Sequence, residues 1–189
     1  MEIAIEKTTT PKQKPGASEL GFGKVFTDHM FIWDYSIENG WHNPRIVPYS
    51  PLELDPACTV FHYGQAVFEG MKAYRGPGGE VLLFRPEMNI ARLNRSNERM
   101  SIPQIDEKLA LEAIKELVAL EGDWIPSTPG TALYIRPFVI ATDTHLGVHP
   151  SATYKFIVIL SPVGSYYKEG LNPVSIYVEP HYVRAVRGG

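Results

Sequence analysis

The sequence predicts an α+β domain built on hairpins, and three observations carry that expectation. Two apolar runs flank Gly76-Pro77-Gly78-Gly79 in residues 71–85 (MKAYRGPGGEVLLFR), the mark of a β-hairpin with a loop of several residues. Residues 106–120 carry apolar side chains at helical spacing, with Leu109, Ala113, Leu117 and Leu120 on one line and Ile114 and Val118 beside it. Runs rich in β-branched and aromatic residues recur elsewhere, separated by Gly- and Pro-containing turns.

The elements follow in order. Residues 8–20 are polar, rich in Pro and Thr and aperiodic, so residues 1–20 are expected as a mobile arm. Residues 25–35 read as a strand that pairs with residues 45–49 across Glu38-Asn39-Gly40, with Pro48 placing the second strand at an edge or ending it. After the 71–85 hairpin, Pro86 and Glu87 open a helix: proline's missing N–H has no helical partner at that position, and the carboxylate faces the positive helix end. Asp106 is the expected N-cap of the next helix and Gly122 its stop. Strands follow at 132–142 and 154–160. Residues 21–161 then form one domain, residues 162–173 read as a linker, and residues 174–189 open another strand as though a second domain were starting.

Composition excludes several functions. The 189 residues are 44% hydrophobic and 21% charged, as in ordinary globular proteins. A net charge of −3 with both signs interspersed leaves no footprint for nucleic acid or an anionic membrane. No apolar run is long enough to span a bilayer, and no secretory leader is evident, so a cytoplasmic setting is expected. Lone Cys58 allows no internal disulfide, and the six His show no metal-ligand spacing, so no metal is expected.

Three groups of residues could carry chemistry. Arg92, Arg95 and Arg99 share one face of the helix after Pro86, either as a solvated basic face or with one of them holding a phosphate. Tyr134 and Arg136 leave the same face of a strand inside the apolar run ALYIRPFVIA, and such a pair is costly to bury without an anion. A small-molecule carboxylate suits it, and an exposed pair on a half-solvated sheet is the alternative. Residues 62–70 (HYGQAVFEG) read either as a helix turn with a Gly stop or as an aromatic pocket wall in which glycine lets a ligand approach. No lysine stands out as a nucleophile.

The motifs FGKVFTDHMF, HYGQAVFEGMKAY, LLFRPEMNIARLNRS, LYIRPFVIATDTHLGV and ILSPVGSYYKEG, in this order, resemble the branched-chain amino-acid aminotransferases, fold-type IV enzymes that use pyridoxal 5'-phosphate. The resemblance runs from about residue 20 to the last. It implies the small two-layer N-terminal domain of that fold, an antiparallel sheet with flanking helices, followed by the first strand of a large cofactor domain. It also implies transfer of the amino group of Leu, Ile or Val to 2-oxoglutarate, in a homodimer or higher homo-oligomer. Residue by residue, it makes Arg92 a cofactor-phosphate ligand and puts Tyr134 and Arg136 near the substrate carboxylate. Phe68 and Gly70 become pocket walls, and Tyr63, Leu146 and Val148 complete a hydrophobic pocket from a neighbouring subunit. The Schiff-base lysine is expected beyond Gly189, so the 189 residues alone are expected to be inactive. Another fold-type IV activity, such as D-amino-acid transamination, and a non-catalytic binding or assembly role remain the alternatives.

Overall fold

In chain order the elements are the two-residue β1 (Ala4–Ile5), the hairpin of β2 (His29–Ser36) and β3 (Gly40–Pro48), the short α1 (Thr59–Tyr63), β4 (Ala66–Phe68), the hairpin of β5 (Met71–Arg75) and β6 (Val81–Leu83), α2 (Pro86–Arg99), α3 (Glu107–Leu120), and the long pair β7 (Ala132–Ala141) and β8 (Thr153–Val163). The structure is a computed structural model and describes residues 2–164 and 172–183. The strands lie in the order β1-β3-β2-β8-β7-β5-β6, and β4 shares with β5 the edge of β7 that faces away from β8. All these pairings are antiparallel except that of β1 with β3. The expected α+β architecture with an antiparallel sheet is therefore the one observed.

Helices α2 and α3 cover one face of the sheet. Ile90 and Leu93 of α2 and Leu109, Ala113, Ile114 and Leu117 of α3 bury against Phe31, Leu133, Ile135, Phe156, Val158 and Leu160. The helical spacing read in residues 106–120 is thus the spacing of core contacts. Asp106 caps α3 by accepting from the backbone N–H groups of Lys108 and Leu109, and Pro86 occupies the first turn of α2. Gly122 opens a 3-10 turn (Gly122–Trp124) just after α3. The opposite face keeps a smaller apolar cluster of Met30, Ile32 and Ile157, with Phe138, Ile140 and Ile159 packed against it half-buried.

Three expectations need correction. Residues 2–20 are tied to the fold along the β2–β3 side of the sheet. β1 pairs with Arg45 and Ile46, the Thr8 N–H donates to His29 Nε2 (2.9 Å), and the Lys12 N–H donates to Asp28 Oδ1 (2.8 Å). Lys12 Nζ also donates to the Thr27 carbonyl (2.7 Å) and sits 4.4 Å from the centre of the Tyr49 ring. These anchors are backbone groups and single cations, which leave no hydrophobic period in a sequence. Pro162 and Val163, expected to open the linker, are instead the last residues of β8. Residues 174–179, expected as a strand, pair with no strand among the described residues, and Ile176 and Tyr177 are each 82% exposed. Strand propensity needs a neighbouring edge to become a strand. Residues 165–171 and 184–189, including the VRAV segment, lie outside the described residues.

Candidate functional site

Along β7 the side chains alternate. Leu133, Ile135, Val139 and Ala141 are fully buried under the helices, while Tyr134, Arg136, Phe138 and Ile140 take the other face half-buried. Tyr134 and Arg136 therefore do share a face, and they are bonded to each other. Arg136 donates from Nε (3.1 Å) and Nη2 (2.7 Å) to the Tyr134 hydroxyl, which fixes the plane of the guanidinium. That plane also sits 4.4 Å from the centre of the Phe68 ring. Phe68 can reach it because β4 pairs Phe68 with Phe138, two residues along β7 from Arg136.

Gly70 has a steric reason to be glycine. A Cβ built there would meet the Tyr134 ring, 3.1 Å from Cζ and closer still to the hydroxyl, so any side chain would displace Tyr134. Its role is thus to make room for another wall residue. Tyr134 and Arg136 then line a recess of about 170 Å³ with Phe22, Gly23, Phe26, Ile159 and Ser161. Phe22 packs its ring 5.1 Å from that of Tyr134, and Phe26 stacks on Tyr49. Among the described residues, no acidic side chain and no lysine lines this recess.

Arg92 lies apart from the recess but is linked to it. The carboxylate of Glu69 is buried and accepts from Arg92 Nε (2.5 Å) and Nη2 (2.7 Å), from Asn89 Nδ2 (3.0 Å) and from the Gly70 N–H (3.3 Å). Burial alone would push the Glu69 carboxyl up, but the bonds from Arg92, Asn89 and Gly70 outweigh it and hold the carboxyl below its usual value. Glu69 in turn raises the Arg92 guanidinium above its ordinary value by hydrogen bonding and charge. The Arg92 side chain is still 60% exposed, and its Nη1 makes no contact with Glu69. A guanidinium clamped on one edge and open on the other suits an external phosphate. In this respect the residues present fit one arm of a phosphate site.

The three remaining candidates gather at the far end of β7. The Tyr63 hydroxyl donates to the Leu146 carbonyl, so α1 and the loop of residues 142–152 are joined. The Leu146 side chain is mostly exposed, and Val148 is 88% exposed. The loop is held at its base by Asp143, whose Oδ2 meets His149 Nε2 (3.0 Å) and accepts from the Ala152 N–H (3.2 Å). The His149 bond, chiefly, lowers the Asp143 carboxyl, and the same bond raises His149. None of these groups contacts the Tyr134–Arg136 pair.

Sequence reasoning did not single out Glu69, Asn89, Phe22, Phe26 or Ser161. Glu69 sits inside the HYGQAVFEG run, where a carboxylate between an aromatic and a glycine was a usable signal. The phenylalanine walls depend on the path of residues 21–28, which no local pattern records. Among the described residues no cluster of His, Cys, Asp and Glu could hold a metal ion, and no helix is long and apolar enough to cross a membrane.

No family model matches the chain. Curated relatives do. Branched-chain-amino-acid transaminase 1 of Bacillus subtilis is 64% identical over 188 residues, covering 99% of this chain and 53% of the relative. Branched-chain-amino-acid aminotransferase 2 of the same organism is 61% identical over 187 residues, covering 99% and 52%. The branched-chain-amino-acid aminotransferase of Mycolicibacterium smegmatis is 49% identical over 194 residues, covering 100% and 53%. The chain thus spans about half the length of the curated relatives it matches. Among solved structures, the branched-chain amino acid aminotransferase of Escherichia coli matches with a TM-score of 0.52 and 25% identity, over 71% of this chain and 39% of that one. The T.th. enzyme, solved with pyridoxamine 5'-phosphate, matches with a TM-score of 0.56 and 28% identity, over 74% and 41%. The resemblance carried by the motifs holds along nearly the whole chain, and the fold is that of the matching part of these enzymes.

Proposed function

We propose that this chain is the substrate-reading part of a branched-chain-amino-acid aminotransferase, which moves the amino group of Leu, Ile or Val to 2-oxoglutarate with pyridoxal 5'-phosphate as cofactor. The single observation that carries the reading is the Tyr134–Arg136 pair: a guanidinium held by a phenol in an apolar recess with no acid among its described lining residues. Both substrates of such a reaction present a carboxylate, and a fixed guanidinium addresses it with direction as well as charge. Phe22, Phe26 and Ile159 keep water from that carboxylate, which strengthens the attraction.

Arg92, held by Glu69, is the donor this chain offers to the cofactor phosphate. The cofactor, when bound, supplies an electron sink for the pair left on the substrate α-carbon when its proton departs. Tyr63, Leu146 and Val148 gather away from the recess with apolar surface exposed, which suits the completion of an apolar side-chain pocket in a second copy of the chain. A homodimer accounts for their exposure.

The test is Arg136→Met in the full-length enzyme. It should raise KM for both L-leucine and 2-oxoglutarate by about tenfold or more, since a hydrogen bond to a charged group contributes ~1.5–3 kcal/mol. The absorption spectrum of the bound cofactor should stay as it was. Steady-state kinetics with KM unchanged for both substrates would reduce the pair to a structural one.

A further inference from the structure

Ser161 carries a hydroxyl that the described residues leave unused. Its Oγ is buried and has no hydrogen-bond partner among the described residues, and the residue is only 2% exposed. Buried hydroxyls are nearly always satisfied, and leaving one unpaired is costly. The location of this one is informative. Ser161 stands directly opposite Tyr134 in the β7–β8 ladder, so the two side chains leave the same face of the sheet, and both line the recess that contains Arg136.

The polar groups of that recess have one character. The Tyr134 hydroxyl accepts two hydrogen bonds from Arg136, which occupies its lone pairs and leaves its own proton to be donated outward. Arg136 uses Nε and Nη2 on that hydroxyl, so Nη1 is not part of the pair. Ser161 adds one more O–H. Three residues with donor groups line one recess with no carboxylate among its described lining residues, and a bound carboxylate is acceptor-only, with lone pairs enough for all three.

We infer that Ser161 is a further substrate-binding residue, the third donor to the carboxylate held by Tyr134 and Arg136. The inference rests on the reading of that recess as the carboxylate site. Ser161 donates to the carboxylate from the β8 side of the recess, beside Tyr134.

The variant is Ser161→Ala in the full-length holoenzyme, compared with Arg136→Met. KM for L-leucine and for 2-oxoglutarate should each rise about tenfold, with kcat within about twofold, as expected for loss of a hydrogen bond to a charged group. Calorimetric binding of 4-methylpentanoate, a carboxylate with no amino group to react, should weaken by a similar factor. The Tm of the substrate-free protein should stay level or rise, because the deleted hydroxyl has no partner there. Ser161→Thr, which keeps the hydroxyl, should stay closer to the parent than Ser161→Ala in all three measurements. Unchanged KM and unchanged 4-methylpentanoate affinity in Ser161→Ala would overturn the assignment. So would a protein that no longer folds, since the hydroxyl would then have a structural partner. If Arg136→Met is impaired and Ser161→Ala is not, only this inference falls; if neither is impaired, the carboxylate reading of the recess falls with it.

Discussion

Arg45 and Arg136 leave the same sheet on the face away from the helices, and their surroundings differ in kind. Arg45 has an acid: its Nη1 lies 2.5 Å from Asp34 Oδ2, while Lys155 Nζ takes the other oxygen at 2.7 Å. The three residues sit on β3, β2 and β8 and tie those strands across the sheet. Burial alone would push the Asp34 carboxyl up, yet the bonds from Lys155 and Arg45 hold it below its ordinary value. Arg136, two strands from β2, meets the hydroxyl and ring of Tyr134 and the face of Phe68, and no acid among the described residues. One arginine is neutralised within the fold, and the other is positioned and left charged. Among the described residues of this face, the half-buried Asp34 holds strands together, while the Arg136 guanidinium keeps its charge.

The widest gap is expected between the two faces of β7. Ile135→Ala removes a side chain with no exposure from the contact with the helices. It should cost ~2–5 kcal/mol in urea denaturation, the range for large-to-small changes in a closed core. Ile140→Ala, on the half-buried face, should cost about 1 kcal/mol, because less apolar area is removed from contact and water can refill the space. Equal losses would mean that both faces are core and that the contrast has no meaning for function.

Next in size is the contrast between the two arginine environments. Asp34→Asn leaves Arg45 and Lys155 without their shared anion and should cost about 1–3 kcal/mol near neutral pH. The sign of its pH dependence follows from the lowered carboxyl. In the folded state Asp34 binds its proton less readily than in the unfolded chain, so its contribution is present above the unfolded value of 3.8 and disappears as pH falls through the folded value below it. The parent should therefore lose stability faster than Asp34→Asn on acidification below that point. Denaturation curves at a series of pH values and constant salt measure this, and parallel acid limbs would remove Asp34 from the account. Arg136→Met should cost almost no stability at any pH, because it pairs with no acid among the described residues.

How much of this was legible in the sequence depends on how local each cause is. The β5–β6 hairpin, the N-cap at Asp106 and the entry at Pro86 are short-range chemistry, and residue types alone located them. The pairing of Tyr134 with Arg136 was readable because a strand's period puts residues two apart on one face. The Glu69 clamp on Arg92 was not, because it joins a loop to a helix 23 residues away. Ser161 gives no signal in a strand of apolar neighbours; only its position opposite Tyr134 and its missing partner distinguish it. The N-terminal segment misled for a related reason. It is held by backbone bonds to His29 and Asp28 and by the Lys12 ammonium, and none of these leaves a periodic trace.

That segment supplies the smallest expected effect. Lys12 lies at the surface, and its Nζ donates to the carbonyls of Phe26 (3.3 Å) and Thr27 (2.7 Å) while capping the Tyr49 ring on which Phe26 stacks. Lys12→Met deletes these contacts but keeps the aliphatic stem. Being solvent-exposed, they should cost less than about 1 kcal/mol of stability. Phe26 is nonetheless a wall of the recess that holds Arg136, so loosening its backbone should be felt there before it is felt in the fold. Under the proposed function, the full-length protein should show a rise of about twofold to threefold in KM for both carboxylate substrates, with Tm nearly unchanged. A clear fall in Tm with KM unchanged would place Lys12 with Arg45, among the cations that hold strands together. No change in either measurement would mean that the recess wall is set by β2 and β8 alone.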